Sequence, residues 1–144
     1  MKKSFLNGKS ILGVHDEPGT LQVIEEALRK GCPRCTFDKA ATFYEASQLL
    51  ASHTYDLMIL DPMGVRSFDL LERAALRRLP VAIFTARPIT PEALSRSFKM
   101  KAATYLPREK LAEIVPLLEA VLDHGSLSAW KHLLDRWTRF FDSK

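Results

Sequence analysis

The run Leu57–Leu60, LMIL, carries no polar residue and stops at Asp61. A strand with one wet face alternates polar and apolar residues. An unbroken apolar run this short therefore marks a strand covered on both faces. The run PVAIF, residues 80–84, repeats the pattern and stops at Thr85. Strands of this kind are found in parallel sheets sandwiched between helices, so the fold class is α/β.

Between the strand-like runs the apolar period becomes helical. SILGV, residues 10–14, reads as a first strand, and Leu21, Ile24 and Leu28 predict a helix over 20–30 with Gly31 as its C-cap. A weak second strand follows over 36–41. Thr42 and Glu45 form a capping box for the next helix, whose apolar face holds Ala46, Leu49 and Leu50. Ser67 is placed to cap a helix to about 77, and Thr90-Pro91 starts another to about 99. ATYL, residues 103–106, is a short fifth strand, and Leu111, Ile114, Val115, Leu118 and Val121 predict an amphipathic helix over 110–122. Five strands alternating with five helices make a doubly wound five-stranded parallel sheet.

The 144 residues suffice for one domain with a core. The formal charge is +4, but Lys and Arg are scattered among acids without a basic run. That pattern predicts a solvated surface and no nucleic-acid partner. No run approaches the ~20 apolar residues of a membrane span. The basic opening MKKSFLNGKSILGV lacks the apolar length and cleavage site of a signal peptide, so a cytoplasmic location is expected. Cys32 and Cys35 form a lone CxxC after a helix and before a strand. A thioredoxin-type pair opens a helix, and zinc needs two more ligands, so two ordinary reduced thiols are expected.

In an open parallel sheet, sites lie beyond the carboxyl ends of the strands. His15, Asp16 and Glu17 end the first predicted strand, Asp61 the third and Thr85 the fourth, and Arg108 lies just past the fifth. Four strands thus deliver polar groups to one edge. Asp16 and Asp61 could supply carboxylates to a hard cation such as magnesium. A hydroxyl at Thr85 and a fixed cation at Arg108 suit a phosphoryl group, and a carboxylate can itself be the nucleophile, giving an acyl phosphate.

The segments ILGVHDEPGTLQVIEEAL, YDLMILDPMGVRSFDLLE, PVAIFTA and ATYLPREKLAEIVPLLEAVL resemble the receiver domain of two-component response regulators. The resemblance covers residues 10–122, and it is greatest to stand-alone receivers with an extra aromatic-rich terminal helix. It implies a flavodoxin-like sheet in the order 2-1-3-4-5. It further implies a phosphorelay role in which Asp61 accepts a phosphoryl group from a histidine kinase or phosphotransfer protein. Mg2+ would be held by Asp16, Asp61 and the backbone carbonyl of Met63. Thr85 would bond the phosphoryl oxygen, Tyr105 would be the aromatic switch residue, and Ala86 would leave room beside Thr85. Output would pass to a downstream protein or a homodimer, and the chain would be no enzyme beyond its own phosphorylation and dephosphorylation.

Several residues depart from the pattern. His15 stands where the family has the first acid of a pair, and an imidazole is a poor magnesium ligand. Weakened magnesium binding follows, with His15 expected to carry a proton and partly fill the cation's place. Arg108 stands at the usual lysine, and the planar guanidinium is bulkier. Glu109 replaces a common proline, and Pro62 has no N–H to donate. These changes keep a second reading open: a phosphorylation-independent pseudo-receiver acting as a binding or dimerisation module. A small phosphohydrolase would need a second acid where Met63 stands. A flavin-binding relative would not place carboxylates in its phosphate loop.

The expected organisation is a receiver over 1–123 and a C-terminal amphipathic helix over 124–144. Trp130, Leu133, Leu134, Trp137, Phe140 and Phe141 form that helix's apolar stripe. It would pack back, dimerise or dock a partner, and attachment to a membrane surface is disfavoured.

Overall fold

The structure is a computed structural model, and it describes residues 6–64, 66–85 and 88–124. The predicted C-terminal helix and Ala86 lie outside the described residues. Five strands, β1 (Ser10–Val14), β2 (Thr36–Ala40), β3 (Leu57–Leu60), β4 (Val81–Phe84) and β5 (Thr104–Leu106), alternate with helices. The helices are α1 (Pro18–Gly31), α2 (Phe43–Ser52), α3 (Ser67–Leu76), α4 (Pro91–Lys99) and α5 (Ile114–His124). The sheet is wholly parallel in the order β2-β1-β3-β4-β5. The switch point, where β1 neighbours both β2 and β3, places the ends of β1 and β3 side by side.

Side-chain alternation along each strand feeds two apolar clusters. Ile11, Leu57, Ile59, Ala82 and Phe84 share one with Leu21, Leu28, Val115 and Leu118 of α1 and α5. Leu12, Met58, Leu60 and Ile83 share the other with Ala46, Leu70 and Ala74 of α2 and α3. Both faces are dry, which is why β3 and β4 are apolar throughout. Gly13 is needed on the α1 side: a Cβ there would stand 2.4 Å from the Phe37 ring.

Three local expectations need correction. Gly31 is the last residue of α1, and Cys32 takes the cap position. What demands glycine at 31 is packing, because a Cβ would lie 2.7 Å from Val115 Cγ2. Ser67 is the first residue of α3 rather than its cap; Arg66 holds that position in the left-handed region at φ 58°. Tertiary demand wins there, since the Ser67 hydroxyl is drawn to the Asp61 carbonyl. The last helix begins later than its apolar period suggests, because residues 108–113 form a 3-10 turn before α5. Thr42 and Thr90 cap α2 and α4 as expected, accepting from Glu45 N–H and Ala93 N–H.

Candidate functional site

The strand ladders set the heights of the site residues. Val14 pairs with Leu60, Leu60 with Ile83 and Ile83 with Tyr105. One step beyond that level stand His15 and Asp61. A further step reaches Asp16 and Thr85, and Arg108 lies one step past them. These five residues therefore share the carboxyl rim of the sheet. His15 N–H donates to Ala40 O and Asp61 N–H to Val14 O, which extends the ladders and fixes both backbones.

His15 and Asp61 are each only 2% exposed, whereas Asp16 is exposed. His15 Nε2 lies 3.2 Å from Asp61 Oδ2, and His15 Nδ1 lies 3.3 Å from Asp16 Oδ1. One ligand atom from each of the three residues falls within 4.8 Å of the others. The second Asp61 oxygen accepts from Met63 N–H at 2.9 Å. This bond turns the Asx loop without needing an N–H from Pro62. The Asp61 carbonyl accepts from the Ser67 hydroxyl and from Gly64 N–H. The carboxylate is thus held from both its backbone and one oxygen, while the other oxygen meets His15.

The His15 ring lies between two carboxylates and one backbone amide. Glu17 N–H donates to His15 Nδ1 at 3.1 Å. His15 Nε2 faces Asp61 Oδ2. That contact is close but poorly aligned, so Nε2 gains no well-formed hydrogen bond. The sequence offered no signal for the Glu17 contact because the donor is a backbone amide at a helix start. Glu17 occupies the cap position of α1 without capping through its side chain, and Pro18 follows at the first turn.

Thr85 is buried directly after β4, and Arg108 is exposed where it opens the 3-10 turn after β5. Tyr105 lies in β5 inside the α2–α3 cluster, so its ring already points inward. Burial, with a smaller contribution from Glu109, raises its phenol above the ordinary range. Met63 is partly exposed beside Asp61.

A hollow of about 480 Å³ opens beside this cluster, between the loop before α2 and the loop before α3. His15, Asp16 and Asp61 form one wall, and Phe43, Arg66 and Ser67 belong to the others. The Arg66 guanidinium stacks 3.7 Å from the centre of the Phe43 ring and also pairs with Asp69 at 3.0 Å. Ser67, Phe43 and Arg66 were not legible as site residues; only the position of their loops after β2 and β3 pointed there.

The donor set fits a divalent ion. Two converging carboxylates suit a hard cation, and the buried imidazole adds a nitrogen that magnesium uses less readily than manganese or zinc does.

No family model matches the chain, and no curated protein matches it in sequence. Solved structures do. The chain is similar to a CheY-like response regulator receiver domain protein from Methanospirillum hungatei JF-1 with a TM-score of 0.71 at 20% identity, covering 81% of this chain and 95% of that one. It is similar to the N-terminal domain of a response regulator receiver protein from Methanoculleus marisnigri JR1 with a TM-score of 0.58 at 27% identity, covering 80% and 97%. A third likeness is the phosphorylated cyanobacterial phytochrome response regulator RcpA, with a TM-score of 0.66 at 21% identity, covering 79% and 93%. Over most of its length the chain has the fold of a response regulator receiver domain. No helix among the described residues is long and apolar enough to cross a membrane.

Proposed function

We propose that the chain is a receiver that accepts a phosphoryl group on Asp61 and passes the signal on by protein contact. The observation that carries this reading is the convergence of Asp61, Asp16 and His15 beside an open hollow at the switch point. Asp61 Oδ2 is the nucleophile and must release His15 Nε2 to attack; Oδ1 stays tied to Met63 N–H. Attack at phosphorus forms an Asp61 O–P bond while the donor's P–N or P–O bond breaks, and the donor leaves with the electron pair. Thr85 and Arg108 bind the equatorial oxygens, and Tyr105 packs inward beneath the displaced Thr85. Asp16, Asp61 and the Met63 carbonyl would hold Mg2+. The ion would supply charge neutralisation for the phosphoryl oxygens. Histidine kinases or phosphotransfer proteins are the donors, and a downstream protein or a second copy is the receiver of the signal.

The alternative is a phosphorylation-independent pseudo-receiver acting as a binding or dimerisation module. Incubation with acetyl phosphate and Mg2+, read by intact mass, decides between them. A single added phosphoryl group that is absent from Asp61→Asn supports phosphorylation. An unchanged mass with Mg2+ and with Mn2+ supports the pseudo-receiver.

A further inference from the structure

The opposite end of α1 holds a second pair of reactive groups. Cys32 and Cys35 are free, 0% and 3% exposed, and their Sγ atoms lie 3.0 Å apart. Cys35 N–H donates to Cys32 O at 3.1 Å, so residues 32–35 form a β-turn. The ends of such a turn lie within about 7 Å, which overlaps the Cα separation of disulfides, about 4.4–6.8 Å. The sulfurs need to approach by only about 1 Å to reach bonding distance. Arg29 holds the turn from outside, donating to Cys35 O at 2.7 Å and to Pro33 O at 3.3 Å.

The geometry points to a reversible dithiol–disulfide site at Cys32 and Cys35, oxidised by a small-molecule disulfide. The site is independent of phosphorylation at Asp61. It is not a thioredoxin-type catalyst: the pair follows α1 instead of opening a helix, and burial holds the Cys32 thiol in its protonated form. Exchange therefore waits on lifting of the turn, whose middle residues Pro33 and Arg34 are exposed, rather than on unfolding of the sheet. Cys35, the slightly less enclosed sulfur, loses its proton and attacks one sulfur of the small disulfide, which expels one thiolate. Cys32 then attacks the Cys35 sulfur of the mixed disulfide and expels the second thiolate. The protein loses two electrons and two protons, and the small disulfide becomes two thiols. The neighbouring Cys32 sulfur makes the mixed disulfide short-lived.

The test uses the full chain and glutathione disulfide, followed by alkylation in denaturant and intact mass. The expected product has lost two hydrogens, takes up no alkyl group, carries no glutathione, and regains both alkylation sites after treatment with dithiothreitol. Cys32→Ala is expected to stop at the glutathione adduct on Cys35. Wild-type protein that stays fully alkylatable, keeps a glutathione adduct or forms disulfide-linked dimers overturns the proposal. Because the readout is wild-type mass, it stands even if Cys32→Ala folds poorly. It also stands whether or not Asp61 takes phosphate.

Discussion

The two ends of α1 each gather buried reactive side chains, with opposite consequences. At its start, His15 and Asp61 are buried on one side but border a hollow of about 480 Å³, and Asp16 reaches solvent. At its end, Cys32 and Cys35 belong to the apolar cluster of Leu6, Leu28 and Val115. Burial at the first end positions charge beside space that a ligand can enter. Burial at the second end keeps a group neutral: desolvation, helped by Cys35, pushes the Cys32 thiol up to about 12. Burial alone does not make a site; the neighbouring volume and the polarity of the wall decide what a buried group can do.

The largest expected effect separates the two ends by function. Asp61→Asn keeps the side chain's shape and removes the nucleophile, so phosphoryl uptake from acetyl phosphate falls to background by intact mass. Cys32→Ala, at the far end of the same helix, leaves uptake within twofold of wild type. A large loss in Cys32→Ala would break the contrast by showing that the distal end controls the rim.

Stability ranks the ends in reverse. Leu28 is fully buried beside the dithiol, and Leu28→Ala is expected to cost about 2–5 kcal/mol in urea unfolding. A cost below about 1 kcal/mol would mean that the cluster collapses around the gap and that the distal end is softer than its packing indicates.

The same contrast explains what was legible in the sequence. LMIL and VAIF announce dry strands because no polar residue fits between two helical layers, and the order of the strands follows from the resemblance. Strand ends were legible because Asp61 and Thr85 interrupt those runs. The Glu17 N–H contact to His15 Nδ1 was not, since it comes from a backbone group without a residue signature. The left-handed Arg66 and the hydroxyl of Ser67 on Asp61 O were equally hidden, because tertiary hydrogen bonding outweighed the local capping preference. Gly31 read as a cap, but Val115, far along the chain, is what excludes a side chain there.

The dithiol end also has a pH signature. The folded state holds the Cys32 proton more tightly than the unfolded chain, whose thiols titrate near about 8.5. The contribution is intact below about pH 8.5 and is lost as pH rises toward about 12. Unfolding free energy should fall by up to about 1.4 kcal/mol per pH unit in that window. Tyr55 and Tyr105 are raised in the same sense by burial, so the comparison with Cys32→Ala belongs between about pH 8.5 and 10. Equal slopes in both proteins would assign the loss to other groups.

The smallest expected effect sharpens the rim end. His15→Asp restores a third carboxylate beside Asp16 and Asp61 and removes the imidazole that meets Asp61 Oδ2. Magnesium affinity should rise at least about tenfold, equivalent to about 1.4 kcal/mol, by titration calorimetry. Without the ion, three acidic groups crowd one partly buried edge, so the variant should be less stable than wild type. Adding Mg2+ should return that stability by mass action. The two signs together distinguish a cation site from a simple polar rim. If His15→Asp gains no affinity, Asp16 and Asp61 do not face a common ion, and the hollow beside them serves another ligand.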